Sequence, residues 1–332
     1  MTNAVVLTAY LEVLALSTIL KGTEIRVKKF NKKFPRFEKR QLEAQSMILP
    51  GFILMLVFSY FPMYGLIIAF KDYNIVSGFM GAPWVGLDNF KEFLSYDRFY
   101  LVLRNSLAIN ILQLLFSFPV PIIFALLLNE MKNAGFKKIV QTISYLPHFV
   151  SWVIYAGLIH VLLDPRGIFN SILMLLNITE KPILFLGEPS YFWMIAVVSG
   201  VLKGFGWSSI IYLAAISGVD QQLYDAATVD GAGRLQKMWH ITLPSIKGTV
   251  AILLIFNISG LVKTGFDQIW MMHNPLNMSM SETIEIYVYK MGLESFRFSY
   301  STAVGLSQSV VSVILLTVSN FLIKKVTEES LF

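Results

Sequence analysis

Four histidines are the first candidates for chemistry, at His148, His160, His240 and His273, and the chain has no cysteine. Thiolate nucleophiles, thiolate metal sites and disulfides are therefore excluded. The histidines are scattered, with no H-E-x-x-H pattern and no carboxylate at ligand spacing, so no metal site is expected. No G-x-x-x-x-G-K-[ST] loop occurs, so the chain carries no cradle for ATP phosphates and is not expected to be an enzyme. The loops offer no paired carboxylates for general acid–base work, which disfavours an intramembrane glycosyltransferase. An ion-coupled carrier would place Asp or Glu within its apolar segments, and here they lie only near segment ends. What remains is a set of polar groups isolated in oily sequence. Lys203 lies in "VLKGFGWSSI" with Trp207 four residues on, and Lys263 precedes Asp267, a possible ion-pair partner. Asn257 and Gln308 add amides, and His148 and Trp152 are expected on one helical face. Ionisable side chains are costly in hydrocarbon, which makes them candidates for a pathway. Aromatic faces beside cations and amides suit a sugar, which offers C–H faces and hydroxyls. Bland alternatives stay open. Lys203 could serve a backbone carbonyl or a carboxylate of another subunit, Asn257 and Gln308 could bridge helices, and Trp207 could simply pack. Two lysines facing one cavity would favour an anionic sugar such as a uronate oligosaccharide.

The elements that must hold these residues are membrane spans. Of the 332 residues, 55% are hydrophobic and only 14% charged, with mean hydropathy +0.62, whereas soluble domains are about one-quarter charged. Six runs reach the roughly 20 residues needed to cross about 30 Å of hydrocarbon: 47–70, 103–129, 139–163, 191–216, 246–264 and 301–323. Lipid offers no partner to a peptide group, so these must be helices, and no βαβ alternation is present. The fold class is all-α, a polytopic bundle of six helices with an extra N-terminal segment. Lysine and arginine set the orientation: 17 fall on the side of 21–46 and only 7 on the opposite side. This predicts that both termini of the six-span core are cytoplasmic. The basic block "RVKKFNKKFPRFEKR" also suits anionic lipid headgroups. Residues 1–20 could form a seventh span, a surface helix or a badly chosen translation start. A cleaved signal peptide is not expected there.

One cytoplasmic loop is more elaborate than its neighbours, "DAATVDGAGRLQKMWHITLP", Asp225–Pro244. Asp220 is a suitable N-cap for "QQLYDAATV", and Gly231 and Gly233 then break that helix. "RLQKMWHI" predicts a second short helix with Leu235, Met238 and Trp239 on one face. Ala226 and Ala227 allow close approach, Gly231 supplies a turn, and Pro244 fits the start of the next span. A DNA-binding helix-turn-helix would need more positive charge than Arg234 and Lys237 against Asp225 and Asp230, so no nucleic-acid partner is expected. The element is either a capped connector or a docking knob for a cytoplasmic partner.

The same loop resembles the EAA signature of binding-protein-dependent ABC importer permeases. The matching positions are Asp225, Ala226, Ala227, Gly231, Ile241, Leu243 and Pro244, with aspartate where glutamate is usual. "WVGLDNFKEFL", "SYLPHFVSWV", "GWSSIIYLAAI", "YVYKMGL" and "FSYSTAVGLSQSVV" are similar to polysaccharide-type permeases of the LplB branch, relatives of alginate-importer permeases. The resemblance covers roughly 47–325 with a coupling loop at 217–245, flanked by 1–46 and 326–332. It implies a bacterial cytoplasmic-membrane subunit that pairs with a second homologous permease. It also implies two ATPase subunits, which bind the ATP and Mg, and an extracytoplasmic solute-binding protein. On this resemblance the seven loop residues couple the bundle to the ATPase, and no cofactor is bound by the chain itself.

Overall fold

Apart from one isolated antiparallel bridge between Lys71 and Trp84, regular structure among the described residues is helical. A computed structural model describes residues 39–76 and 78–327; the apolar stretch 1–20 lies outside them. Two compact units divide the chain after Ile68. In the first, α1 (Lys39–Met55) continues through a wider π turn at Leu56–Tyr60 into a 3₁₀ stretch, Phe61–Phe70, whose last two residues belong to the second. In the second, the helices that position the sites are α2 (Phe99–Ser117), α3 (Pro119–Asn129), α4 (Ala134–Phe149), α5 (Trp152–Leu163) and α6 (Pro189–Ser217). They are followed by α7 (Gln221–Val229), α8 (Arg234–Lys237), α9 (Lys247–Ser259), α10 (Phe266–Met272), α11 (Ile284–Tyr289) and α12 (Phe298–Thr327).

Five runs are long and apolar enough to cross a membrane: Ser46–Phe70, Phe99–Asn129, Trp152–Leu175, Pro189–Ser217 and Phe298–Lys325. A sixth is the pair Arg234–Ser245 and Lys247–Ser259, bent by 64°. Four of these agree with the expected spans to within a few residues. The span expected at 139–163 does not exist as one helix. The chain leaves α4 at Val150 and Ser151, both extended, and the Ser151 hydroxyl accepts from the Ile154 amide at 3.4 Å to start α5. Hydrophobicity runs unbroken across this junction, so it hides the break. Pro147 in the last turn of α4 and a capping serine mark the stop. The span expected at 246–264 is helical only as far as Ser259, where Gly260 closes it onto the Phe256 and Asn257 carbonyls.

The long helix α6 is the hub and packs against α2, α3 and α4. Towards its start, Phe192 and Ile195 join Ile109, Ile269, Met272 and Ile286 in one core. Near its end, Tyr212 and Ile216 meet Ile122, Leu126, Met238 and Ile246 in a second. A third gathers Phe93, Val102, Val262, Tyr287, Tyr300 and Val304 around the start of α12.

Buried amides tie down the short helices between α9 and α12. Asn105, fully buried in α2, donates to the Ser279 and Glu282 carbonyls at 3.2 and 3.1 Å. Asn110 donates to Leu261 at 2.7 Å, and Gln308 donates to Val262. Gln268 reaches the Ala196 carbonyl of α6 at 2.5 Å while accepting from Gln113 at 3.2 Å. Irregular backbone at this depth persists only where protein satisfies it; Asn105, Asn110 and Gln308 meet carbonyls of the segment between α9 and α12, whereas Gln268 pins α10 to a carbonyl inside α6.

In the same segment the Lys290 ammonium donates to His273 Nε2 at 3.0 Å and to Glu282 at 3.2 Å, with Arg98 on the other Glu282 oxygen at 3.9 Å. Lys290 can only donate, so Nε2 accepts. The proton therefore sits on Nδ1, facing the Ser281 hydroxyl at 2.6 Å. Burial, reinforced by Lys290, lowers the His273 pKa from 6.5 to about 4. The neutral ring thus stabilises the fold fully above pH 6.5, and this contribution is lost as pH falls through about 4. Burial raises the Glu285 pKa, an effect of opposite sign that favours the fold at low pH. Thermal unfolding of the purified protein should shift to lower temperature as pH drops from 6.5 to 4. His273→Gln should flatten that dependence in the same scan.

Candidate functional site

The loop reads locally much as its residues dictate. Asp220 accepts from the Gln222 amide at 2.9 Å and starts α7. Gly231, at φ 78°, turns the chain, and Gly233 opens α8 with its amide on Gln236 Oε1 at 2.7 Å. The second arm then runs on through a π turn at Met238–Thr242 to Leu243–Ser245 and bends at Ile246 into α9. The π turn links the Leu243 amide to the Met238 carbonyl, and Pro244, having no N–H, leaves nothing unsatisfied after it. Two side-chain bonds clamp the arms together: Tyr224 to Thr242 at 2.9 Å and Lys237 to Thr228 at 2.5 Å. A depression of about 330 Å³ between them is lined by Ala227, Gly231, Gln236, His240 and Ile241, among others.

The expected apolar face splits in two. Met238 turns inward, and with Thr242 and Ile246 it forms a buried row rooted on Ile122, Tyr212 and Ile216. Leu235 and Trp239 turn outward, 68% and 64% exposed, alongside Val229 at 88%. Met238 is needed for the core that closes the bundle, and only the other two residues project. Of the seven signature positions, Ile241 and Leu243 are half-buried at the root. Asp225, Ala226, Gly231 and Pro244 are exposed, with Ala227 half-buried on the depression. Asp225 accepts from Gln221 at 3.4 Å and forms no ion pair among the described residues. Thr242, between Ile241 and Leu243, is the buried polar residue of this loop that sequence reading passed over. Its hydroxyl at a helical position on the inward row was the available signal.

The second set of candidates converges on the break between α4 and α5. Lys203 is only 7% exposed, and its ammonium donates to the carbonyls of Pro147, His148 and Val150 at 2.9, 3.0 and 2.6 Å. Those three bonds saturate its three N–H groups. It also lies 5.2 Å from the Trp152 ring centroid and 5.6 Å from that of Tyr155. A helix end exposes carbonyls and negative partial charge, and Lys203 caps both. This is the carbonyl-partner alternative left open above. His148 and Trp152 lie on different helices and share no helical face, because α4 ends at Phe149. They meet instead at Lys203, which bonds the His148 carbonyl and faces the Trp152 ring, while the His148 ring stacks on Trp207 at 4.6 Å and 2°, with Phe149 edge-on to Trp207 at 5.3 Å. Gly206 allows the contact, since a Cβ there would strike the Ser144 backbone carbonyl.

The other candidates lie elsewhere. Asn257 donates within its own helix to Leu253 at 2.8 Å, and Gln308 is the inter-element bond described above. Lys263 is exposed past the end of α9, and of the two alternatives, snorkelling or pairing with Asp267, the pair is absent among the described residues. The turn at Gly265 separates the two.

Residues 117–328 match the family described as binding-protein-dependent transport system inner membrane component, and the chain belongs to it. It is 44% identical over 295 residues to protein LplB of Bacillus subtilis (strain 168), covering 89% of this chain and 92% of that one. It is 45% identical over 287 residues to the polygalacturonan/rhamnogalacturonan transport system permease protein YteP of the same organism, covering 86% and 89%. Among solved structures it is similar to a chain of a bacterial ABC transporter involved in import of the acidic polysaccharide alginate. That match has TM-score 0.79 and 37% identity, and covers 87% of this chain and 97% of the other. A second structure of the alginate transporter, in complex with alginate pentasaccharide-bound periplasmic protein, matches with the same TM-score. The protein is thus a membrane-spanning transport permease subunit of an inner-membrane family.

Lys203→Met would remove the ammonium from three part-buried carbonyls, of which Pro147's keeps the Val150 amide, at about 1–3 kcal/mol for each left unpaired. The variant should unfold several degrees below wild type in a thermal scan of the purified protein, and unchanged melting would contradict the capping role.

Proposed function

We propose that this chain is the permease subunit through which an ATP-driven importer takes up oligosaccharide fragments of polysaccharides. It works beside a second homologous permease, on two cytoplasmic ATPase subunits that bind ATP and Mg, and receives sugar from an extracytoplasmic solute-binding protein. The observation that carries the reading is the clamped element from Asp220 to Ser245, apolar on its outer side and rooted in the bundle core on its inner side. A groove that seats Leu235 and Trp239 would move the row Met238–Thr242–Ile246, and with it α3 and the end of α6. Closure of the ATPases is then converted into a change of bundle state, provided ATP and the loaded binding protein favour the same state. The excess of lysine and arginine on the same side supports a cytoplasmic position for this element and for both ends of the six-span core.

An acidic sugar is the finer proposal. Its support is the acidic polysaccharide carried by the similar alginate transporter and the polygalacturonan/rhamnogalacturonan for which the similar permease is named. The charge argument is narrower than the sequence suggested, because Lys203 is engaged by three carbonyls and only Lys263 stands exposed.

Reconstitution with a second permease and an ATPase in liposomes tests the reading. Loaded binding protein should stimulate ATP hydrolysis, and labelled uronic oligosaccharides should enter faster than neutral ones. Gly231→Pro removes the positive φ and the amide bond to Thr228. It should lower uptake by about tenfold or more, the factor that ~1.4 kcal/mol at one contact represents. The amount of protein in the membrane should stay unchanged. Normal uptake by that variant would count against the docking role.

A further inference from the structure

Between the end of α9 and the start of α12 lies a cluster of rings with no counterpart among the candidates read from sequence. Gly265 turns the chain into α10, so Phe266 and Trp270 stand one turn apart, stacked at 5.5 Å and 17°. Tyr289, at the end of α11, closes on both at 5.1 and 4.8 Å. His273 lies nearly parallel to Trp270 at 6.0 Å. One side of the cluster is packed, with Phe266 and Trp270 resting on the core of Phe192, Ile269 and Met272. The other side stays open, since none of the four rings is buried.

Charged neighbours decide what the open side faces. Lys263 and Asp267 flank Phe266 in the chain, Lys290 follows Tyr289, and none of the three is buried. Glu285, one turn before Tyr289, is held by the Thr264 hydroxyl at 3.1 Å and keeps part of its surface open. Charges of both signs around a ring cluster exclude hydrocarbon as its environment, because ionised groups in the bilayer turn towards water. A wet aromatic surface edged by hydrogen-bonding groups matches a pyranose, whose C–H face stacks while its hydroxyls reach the rim. The rings are also preorganised. Gln268, between Phe266 and Trp270, is anchored on α6, and Asn277 ties the following turn to the Leu186 and Met272 carbonyls at 2.8 and 3.0 Å. A surface held in place before binding loses little freedom on contact.

We propose that Phe266, Trp270 and Tyr289 form a stacking ledge for the sugar rings of an oligosaccharide at the extracytoplasmic end of the translocation path. Lys263 and Asp267 form its polar rim. The inference rests on the function proposed above and adds where on the chain the sugar is first held.

The test uses the reconstituted transporter, with uptake measured over a range of oligosaccharide-loaded binding protein. Trp270→Leu keeps apolar bulk against the core and removes the ring face; Trp270→Phe keeps a ring. The leucine variant should raise the KM of uptake about two- to tenfold, the range expected for one aromatic contact, with maximal rate and basal ATP hydrolysis unchanged. Trp270→Phe should stay near wild type, and Tyr289→Leu should repeat the KM effect. An unchanged KM in both leucine variants would overturn the ledge while leaving the transport function intact. Equal impairment of the phenylalanine variant, or loss of the assembled complex in both leucine variants, would mark the rings as packing and also overturn it. A wild-type transporter that takes up no oligosaccharide would instead remove the function on which the ledge depends.

Discussion

A peptide group inside hydrocarbon has no water to turn to, and nearly everything particular about this bundle answers that constraint. Where the helices run unbroken, they satisfy themselves. Where the chain breaks between α4 and α5, Lys203 donates to the carbonyls of Pro147, His148 and Val150, the first of which it shares with the Val150 amide. Where it becomes irregular after α9, Asn105, Asn110 and Gln308 do the same with neutral amides. The polar residues that stand out in so oily a sequence are thus largely accounted for by backbone satisfaction. A cation serves the helix end, where partial negative charge collects, and amides serve the turns.

These breaks divide α6 into functional lengths. Its first part belongs to a core shared with the segment that bears the ring cluster, its middle caps the α4 break, and its last part meets the base of the loop element. A single stiff helix that contacts all three can move them together. Mechanical continuity of that kind is what a subunit driven from one side and loaded from the other requires. The π turn at Met238–Thr242 fits the same picture. It puts an extra residue into the turn that carries the inward row, and it lies just ahead of the 64° bend into α9.

Much of this was legible before any coordinates. Apolar run lengths located four of the six spans to within a few residues and found the start of α9, which stops early. Asp220, Gly231 and Gly233 announced the loop element, because N-caps and positive-φ turns are local properties of a few residues. The third span was misplaced because hydropathy averages over a break that costs no hydrophobicity. The expected face shared by His148 and Trp152 failed for the same reason, since it assumed one helix across Ser151.

The sequence by itself determined the class of molecule, its helical segments, the asymmetry of its charges and the shape of its most distinctive loop. All of these depend on composition or on neighbours within a turn or two of chain. Only the tertiary structure decided that Lys203 caps a helix end, that Met238 turns inward while Trp239 stays out, and that Phe266, Trp270 and Tyr289 come together. Each of those outcomes joins residues from separate helices, such as Lys203 with Pro147 and Trp270 with Tyr289. A residue's own spacing carries no information about a partner that only packing brings within reach.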